Sequence, residues 1–266
     1  MAGRIRVGIG GWNFAPWRGV FYPSDLRQAD ELNYAASKLT SIEINSTYRG
    51  SQKPESFAKW RDAVPDDFVF SLKGPMFATN KKVLAEAGFS VDKFLNSGIA
   101  ELGPKLGPIN WQFMATKKFD PEDFEAFLKL LPPEIGGVPL RHAVEVRSET
   151  FLTPDFLALA RIHGVASIVA KHQTYPQIAD LTGDFVYMRL QTASAEHALG
   201  YSEDELDRVA ADAKAWAAGE APVGTLSYVD DPTRSAGTPR DVFIYMIAGE
   251  KVRNPAAAMA LIERLK

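Results

Sequence analysis

Acidic, basic and amide side chains recur in this chain at the ends of short alternating apolar segments. Glu43, Asn45 and Thr47 alternate with apolar residues in Ser41-Ile42-Glu43-Ile44-Asn45-Ser46-Thr47, and Lys73 closes Phe70-Ser71-Leu72-Lys73. Gln112 ends a fourth such run, and Glu145 and Arg147 close Val144-Glu145-Val146-Arg147. Lys171 ends a sixth, and Arg189 and Gln191 finish Met188-Arg189-Leu190-Gln191. Carboxylates in such company serve as general acids or bases. Arginine and lysine hold phosphate or carboxylate oxygens, and a desolvated lysine becomes a nucleophile.

Glu43, Glu145 and Lys73 are therefore the catalytic candidates. Trp12, Asn45, Tyr48, Gln112, Arg147, Lys171 and Arg189 are the ligand-binding candidates. The surplus of Lys73, Arg147, Lys171 and Arg189 over two carboxylates points to a small anionic metabolite. A purely structural role competes with this. Charges inside a protein are costly unless paired, and Glu145–Arg147 and Glu43–Lys73 pairs would hold a polar layer with no ligand at all.

Successive strand residues face opposite sides, so each segment has one greasy face and one face that ends in polar groups. Strands are expected at Ile5–Gly10, Ser41–Thr47, Phe68–Lys73, Ile109–Phe113, Ala143–Arg147, Ala166–Lys171, Phe185–Leu190 and Val242–Ile247. Helices are expected after Ser24, Asp120-Pro121, Thr153-Pro154, the Ser202/Glu205 capping box and Asn254-Pro255. The long Gly74–Gly107 link predicts a short helical piece near Lys81–Ala87 and a helix over Ser90–Leu102, capped by Ser90. Gly219–Asp241, rich in Pro, Gly, Asp and Thr, reads as an irregular excursion. Strict strand–helix alternation predicts a parallel α/β sheet closed into a TIM-type (β/α)8 barrel, one domain over residues 1–266, with an open doubly wound sheet as the competitor. The barrel's C-terminal rim would gather the polar residues.

Composition removes several chemistries. The 266 residues carry a formal net charge of -3, with no Lys/Arg block to suggest a nucleic-acid footprint. Cysteine is absent, which excludes disulfides, thiolate metal sites and a Cys nucleophile. A cytoplasmic location is expected, with no signal peptide before Arg4-Ile5-Arg6-Val7 and no apolar run long enough for a bilayer. Of His142, His163, His172 and His197, only His172 falls near a strand's C-terminal end, too few for a multinuclear zinc site. A single Mg²⁺ on Glu43, Asn45 and Glu145 is chemically allowed but opposed by the surrounding cations, so neither metal nor cofactor is expected. Gly8-x-Gly10-Gly11 lacks the helix of a dinucleotide fold, and no Gly-x-Ser-x-Gly elbow occurs. In the aromatic loop that follows, Trp12 is assigned to the pocket and Trp17 to a plug over the core.

Several segments together resemble the YecE-like family, also called domain of unknown function 72. They are Ile9-Gly10-Gly11-Trp12, Trp17-Arg18-Gly19, Phe21-Tyr22-Pro23 and Ile42-Glu43-Ile44-Asn45-Ser46-Thr47-Tyr48, then Phe68–Lys73, Leu106-Gly107-Pro108, Val144–Arg147 and Phe185–Leu190. The resemblance implies a TIM-type barrel of this length and no established reaction. It also marks departures, because histidines of the family pattern are replaced here at Asn80, Ser148 and Gln191. The Phe-Asn-Asn that ends the family's last strand becomes Met246-Ile247-Ala248, and its Leu-Gln-Leu-Pro-Pro becomes Trp111–Ala115. Acid–base chemistry through those histidines would be altered or silent in this chain.

The leading expectation is binding of a small anionic, sugar-like or phosphorylated metabolite, with hydrolysis or isomerisation by Glu43 or Glu145. A Schiff-base lyase using Lys73 or Lys171 is the second. A non-catalytic or nucleic-acid-associated module is the third, disfavoured by the balanced charge.

Overall fold

The computed structural model describes residues 2–222, 224, 226–232 and 236–266. Eight parallel strands close into a barrel: β1 (Ile5–Gly10), β2 (Ser41–Ile44), β3 (Val69–Lys73), β4 (Leu106–Gln112), β5 (His142–Glu145), β6 (Ala166–Lys171), β7 (Phe185–Leu190) and β8 (Asp241–Met246). Neighbours in sequence are neighbours around the ring, and β8 pairs with β1 in the register Ile5↔Val242 to Ile9↔Met246. The β1–β2 seam requires a glycine. A Cβ on Gly8 would lie 2.0 Å from the Ser41 carbonyl oxygen.

Side-chain parity divides the apolar residues into an outer core beneath the helices and a filling inside the barrel. The filling is Val69, Ala143, Ala166, Ile168, Phe185, Tyr187, Phe243 and Tyr245. In β3, β5 and β7 alternation then carries the inward face from apolar to polar toward the C-terminal end. Val69 leads to Ser71 and Lys73, Ala143 to Glu145, and Tyr187 to Arg189. The Tyr245 hydroxyl closes the filling, hydrogen-bonded to Ser41 Oγ at 2.7 Å and Ser71 Oγ at 2.5 Å.

Helices cover the outside. They are α1 (Glu31–Ala36), α2 (Pro54–Asp62), α3 (Met76–Thr79), α4 (Gly88–Leu95), α5 (Pro121–Leu128), α6 (Pro154–Ile162), α7 (Glu203–Ala218) and α8 (Asn254–Leu265). Asp120 and Thr153 cap α5 and α6 through their side chains, and Ser202 with Glu205 forms the capping box of α7. None of the described helices is long and apolar enough to cross a membrane.

The expected helices fail in three places. Ser24 caps no helix, because Pro23–Leu26 forms a turn with Leu26 N–H donating to the Pro23 carbonyl at 3.1 Å, and α1 begins only at Glu31. The helix expected over Ser90–Leu102 starts at Gly88 and ends at Leu95, since Gly98 takes φ 106° and the chain restarts as a 3-10 segment, Ile99–Lys105. Eightfold alternation breaks between β6 and β7, where residues 172–184 form no helix. This segment is tied down by side chains instead. Asp180 accepts backbone N–H groups of Val229 and Asp230 at 2.8 and 2.9 Å, and Thr182 Oγ1 accepts from Ser167 N–H at 2.7 Å and donates to the Val165 carbonyl at 2.6 Å. The Gly219–Asp241 excursion is irregular where described, and residues 223, 225 and 233–235 within it lie outside the described residues.

Candidate functional site

Arg189 sits on the inward face near the end of β7, 1% exposed, and organises the barrel mouth. Its Nη2 donates to Glu43 Oε1 at 3.0 Å, and its Nη1 donates to Glu145 Oε2 and, at 3.3 Å, to Gln112 Oε1. Glu43 Oε2 accepts from the Tyr187 hydroxyl at 2.5 Å and from Asn110 Nδ2 at 3.4 Å. Glu145 Oε1 accepts from Arg147 Nε at 2.7 Å. Both carboxylates are 0% exposed, so this pairing is what permits their burial. Burial alone would raise the Glu145 carboxyl, yet Arg189 and Arg147 hold it below its ordinary range. Burial and the Glu43 carboxylate together push the Tyr187 phenol well above its usual value.

Cations lie above this buried layer. Lys73, 7% exposed, donates from Nζ to Gln112 Oε1 at 2.8 Å and stands 4.1 Å from the centre of the Tyr48 ring. Burial, then Arg189, lowers its pKa from 10.5 to about 8. The Arg147 guanidinium lies 4.6 Å over the Tyr175 ring, which stacks on His172 at 3.6 Å. Burial and Arg147 depress the His172 imidazole. Lys251, in the loop after β8, sits 4.4 Å over Phe14 and is also lowered by burial.

A cavity of about 690 Å³ opens over these groups, bordered by Lys73, Arg147, Arg189 and Lys251 but by neither Glu43 nor Glu145. Asn13, Asn45, Gln52, Gln112 and Gln191 supply its amide groups. Trp12 and Trp60 form one wall, their rings edge-to-face at 5.3 Å. Gln191 Nε2 is buried and finds no hydrogen-bond partner among the described residues. No group of three or more His, Cys, Asp or Glu side chains among the described residues is placed to hold a metal ion. The Arg189 guanidinium fills the gap between the two carboxylates.

The fold thus brings together Glu43, Lys73, Gln112, Glu145, Arg147 and Arg189, with Asn45 and Trp12 at the cavity and Tyr48 beside Lys73. Lys171 does not join them. Ala166 and Ile168 face the barrel interior, so Lys171 has the opposite parity and lies within electrostatic reach of Glu205 and Asp212 on α7. Glu43 pairs with Arg189 rather than Lys73. Strand β2 ends at Ile44, three residues short of expectation, and Thr47 Oγ1 donates to the Lys73 carbonyl at 2.7 Å as a structural tie. Trp17 is fully buried and donates from Nε1 to the Lys251 carbonyl at 2.9 Å.

Sequence reasoning overlooked Tyr187, Asn110, Trp60 and Lys251. The first two precede Arg189 and Gln112 by two residues, so strand parity could have found them. Trp60, on α2, and Lys251 carry no periodic signal.

The chain matches, over residues 6–266, the family described as "Protein of unknown function DUF72". It is 30% identical over 142 residues to UPF0759 protein YecE of Escherichia coli K12, 52% of this chain and 48% of that protein. The match therefore spans about half the length of the curated relatives. A DUF72 family protein from Thermotoga maritima superposes with a TM-score of 0.72 at 22% identity, covering 98% of this chain and 99% of that one. Another, from Enterococcus faecalis V583, gives 0.67 at 16% identity, covering 99% and 98%. At such identities the structural likeness shows the fold. The match across nearly the whole sequence shows more: this chain belongs to the DUF72 family, a group of unknown function built here as a TIM barrel.

Proposed function

We propose that the barrel mouth binds a small anionic metabolite carrying a phosphate or carboxylate group. One observation carries this reading, the layering of charge. Glu43 and Glu145 are sealed below and committed to arginines, whereas Lys73, Arg147 and Lys251 border the cavity. Arg147 and Lys251 take the anion, Asn45 and Gln191 take hydroxyls or carbonyls, and Trp12 with Trp60 forms an apolar wall. Proton transfer in this cavity falls to Lys73. A general base must reach its proton, and neither glutamate touches the open space.

Thermal-shift titration with inorganic phosphate and small carboxylates tests the reading. Stabilisation that disappears in both Arg147→Ala and Lys251→Ala supports it, whereas stabilisation unchanged in both variants removes it. Binding of single-stranded DNA or RNA with a steep salt dependence would move the reading to a nucleic-acid module.

A further inference from the structure

The barrel buries two lysines at its ends and treats them differently. Lys105, 7% exposed, donates to the Arg61 and Val64 carbonyls, each at 2.8 Å, and faces Asp66 at 3.6 Å. That is how a structural ammonium is satisfied. Lys73 is equally buried, but its polar contact is one neutral acceptor, Gln112 Oε1 at 2.8 Å. The neighbouring carboxylates are already bound by Arg189 and Arg147. Lys73 is thus held by one neutral hydrogen bond and the face of the Tyr48 ring, with no carboxylate of its own, at the border of a cavity.

We infer that Lys73 is a nucleophilic amine that condenses with the carbonyl group of a small anionic aldehyde or ketone, such as a 2-oxo acid, seated in the mouth cavity. This rests on the anion reading above and adds the reacting group to it. The neutral Nζ attacks the carbonyl carbon while an amine proton passes to the carbonyl oxygen, giving a carbinolamine. Departure of that oxygen as water, with the second amine proton, leaves an imine. No oxidant or reductant is required.

Gln191 borders the same cavity, and its Nε2 is buried with no hydrogen-bond partner among the described residues, so rotation of the amide toward the cavity would give the carbonyl oxygen a donor. Arg147 and Lys251 hold the acid group. A lysine desolvated beside other cations gains nucleophilicity because its neutral form becomes accessible. With a pKa near 8, about a tenth of Lys73 is uncharged at pH 7, against well under a thousandth for an ordinary lysine.

The test is reductive trapping of the full chain with glyoxylate and cyanoborohydride, followed by peptide mapping. Lys73 should be modified at least about ten-fold faster than exposed Lys129, with a rate that rises to a midpoint near pH 8. Lys73→Met and Lys73→Arg should lose that fast adduct while still melting cooperatively as folded proteins. Two variants guard against one that fails to fold. Modification of Lys73 no faster than Lys129, with phosphate stabilisation intact, overturns the nucleophile and leaves the anion site standing. Absence of phosphate stabilisation in the unmodified protein together with slow trapping overturns both.

Discussion

Replacing Arg189 by Met would remove the cation that bridges two buried carboxylates while keeping most of the side chain's bulk. Glu145 retains Arg147 at 2.7 Å, so the loss falls on Glu43. Glu43 keeps only neutral donors, Tyr187 at 2.5 Å and Asn110 at 3.4 Å. Removing one partner of a buried ion pair costs roughly 3–5 kcal/mol, since the other charge stays buried without compensation. With about 2.1 cal/mol/K of unfolding entropy per residue, a chain of 266 residues should lose roughly 5–9 °C in Tm.

The pH dependence of this loss has a definite sign. In the variant the Glu43 carboxylate stays buried beside neutral donors alone, a penalty that falls only on its charged form. In the wild type, Glu145 is held below its ordinary 4.5, a contribution present at neutral pH and lost in acid. The deficit of Arg189→Met should therefore be larger at pH 8 than at pH 5. Adding Glu43→Gln should recover most of it, because the buried charge is then gone. Urea unfolding at both pH values, on the wild type and the single and double variants, measures each term. A single-variant loss below about 1 kcal/mol, or a double variant no more stable than the single, would refute the view of Arg189 as the counter-ion of this layer.

Further outcomes follow from the same geometry. Lys73→Met should stabilise the protein at pH 7, because the fall in pKa from 10.5 to about 8 implies a penalty of roughly 3 kcal/mol on the charged form. Loss of the Gln112 contact offsets about 1 kcal/mol of that gain. As the folded pKa of Lys73 lies below the unfolded one, the advantage should be full below about pH 8 and fade toward pH 10.5, and urea midpoints that do not change with pH would contradict it. Gly8→Ala should cost more than about 3 kcal/mol, since its Cβ would sit 2.0 Å from backbone at the β1–β2 seam. Wild-type-like melting of that variant would show that the seam can open.

Much of this molecule is legible from local pattern. Alternation in Ser41–Ile44, Val69–Lys73, His142–Glu145 and Phe185–Leu190 places Glu43, Lys73, Glu145 and Arg189 on one face and at one end, because strand parity is a property of neighbouring residues. The caps Asp120, Thr153 and Ser202 act within three residues of their partners and were legible for the same reason. Lys171 misled because Ala166-Ser167-Ile168-Val169-Ala170-Lys171 is nearly apolar on both faces, so nothing in the strand sets its phase.

The charge pairing itself was beyond the sequence. Glu43 meets Arg189 across 146 positions, and only closure of the barrel decides that this arginine, rather than Lys73, takes both carboxylates. Trp60 and Lys251 reach the cavity from α2 and from the loop after β8, positions no local period marks. Local order determined which residues face inward. The circumference of the closed sheet determined which of them touch, and so which cation is left bordering the cavity.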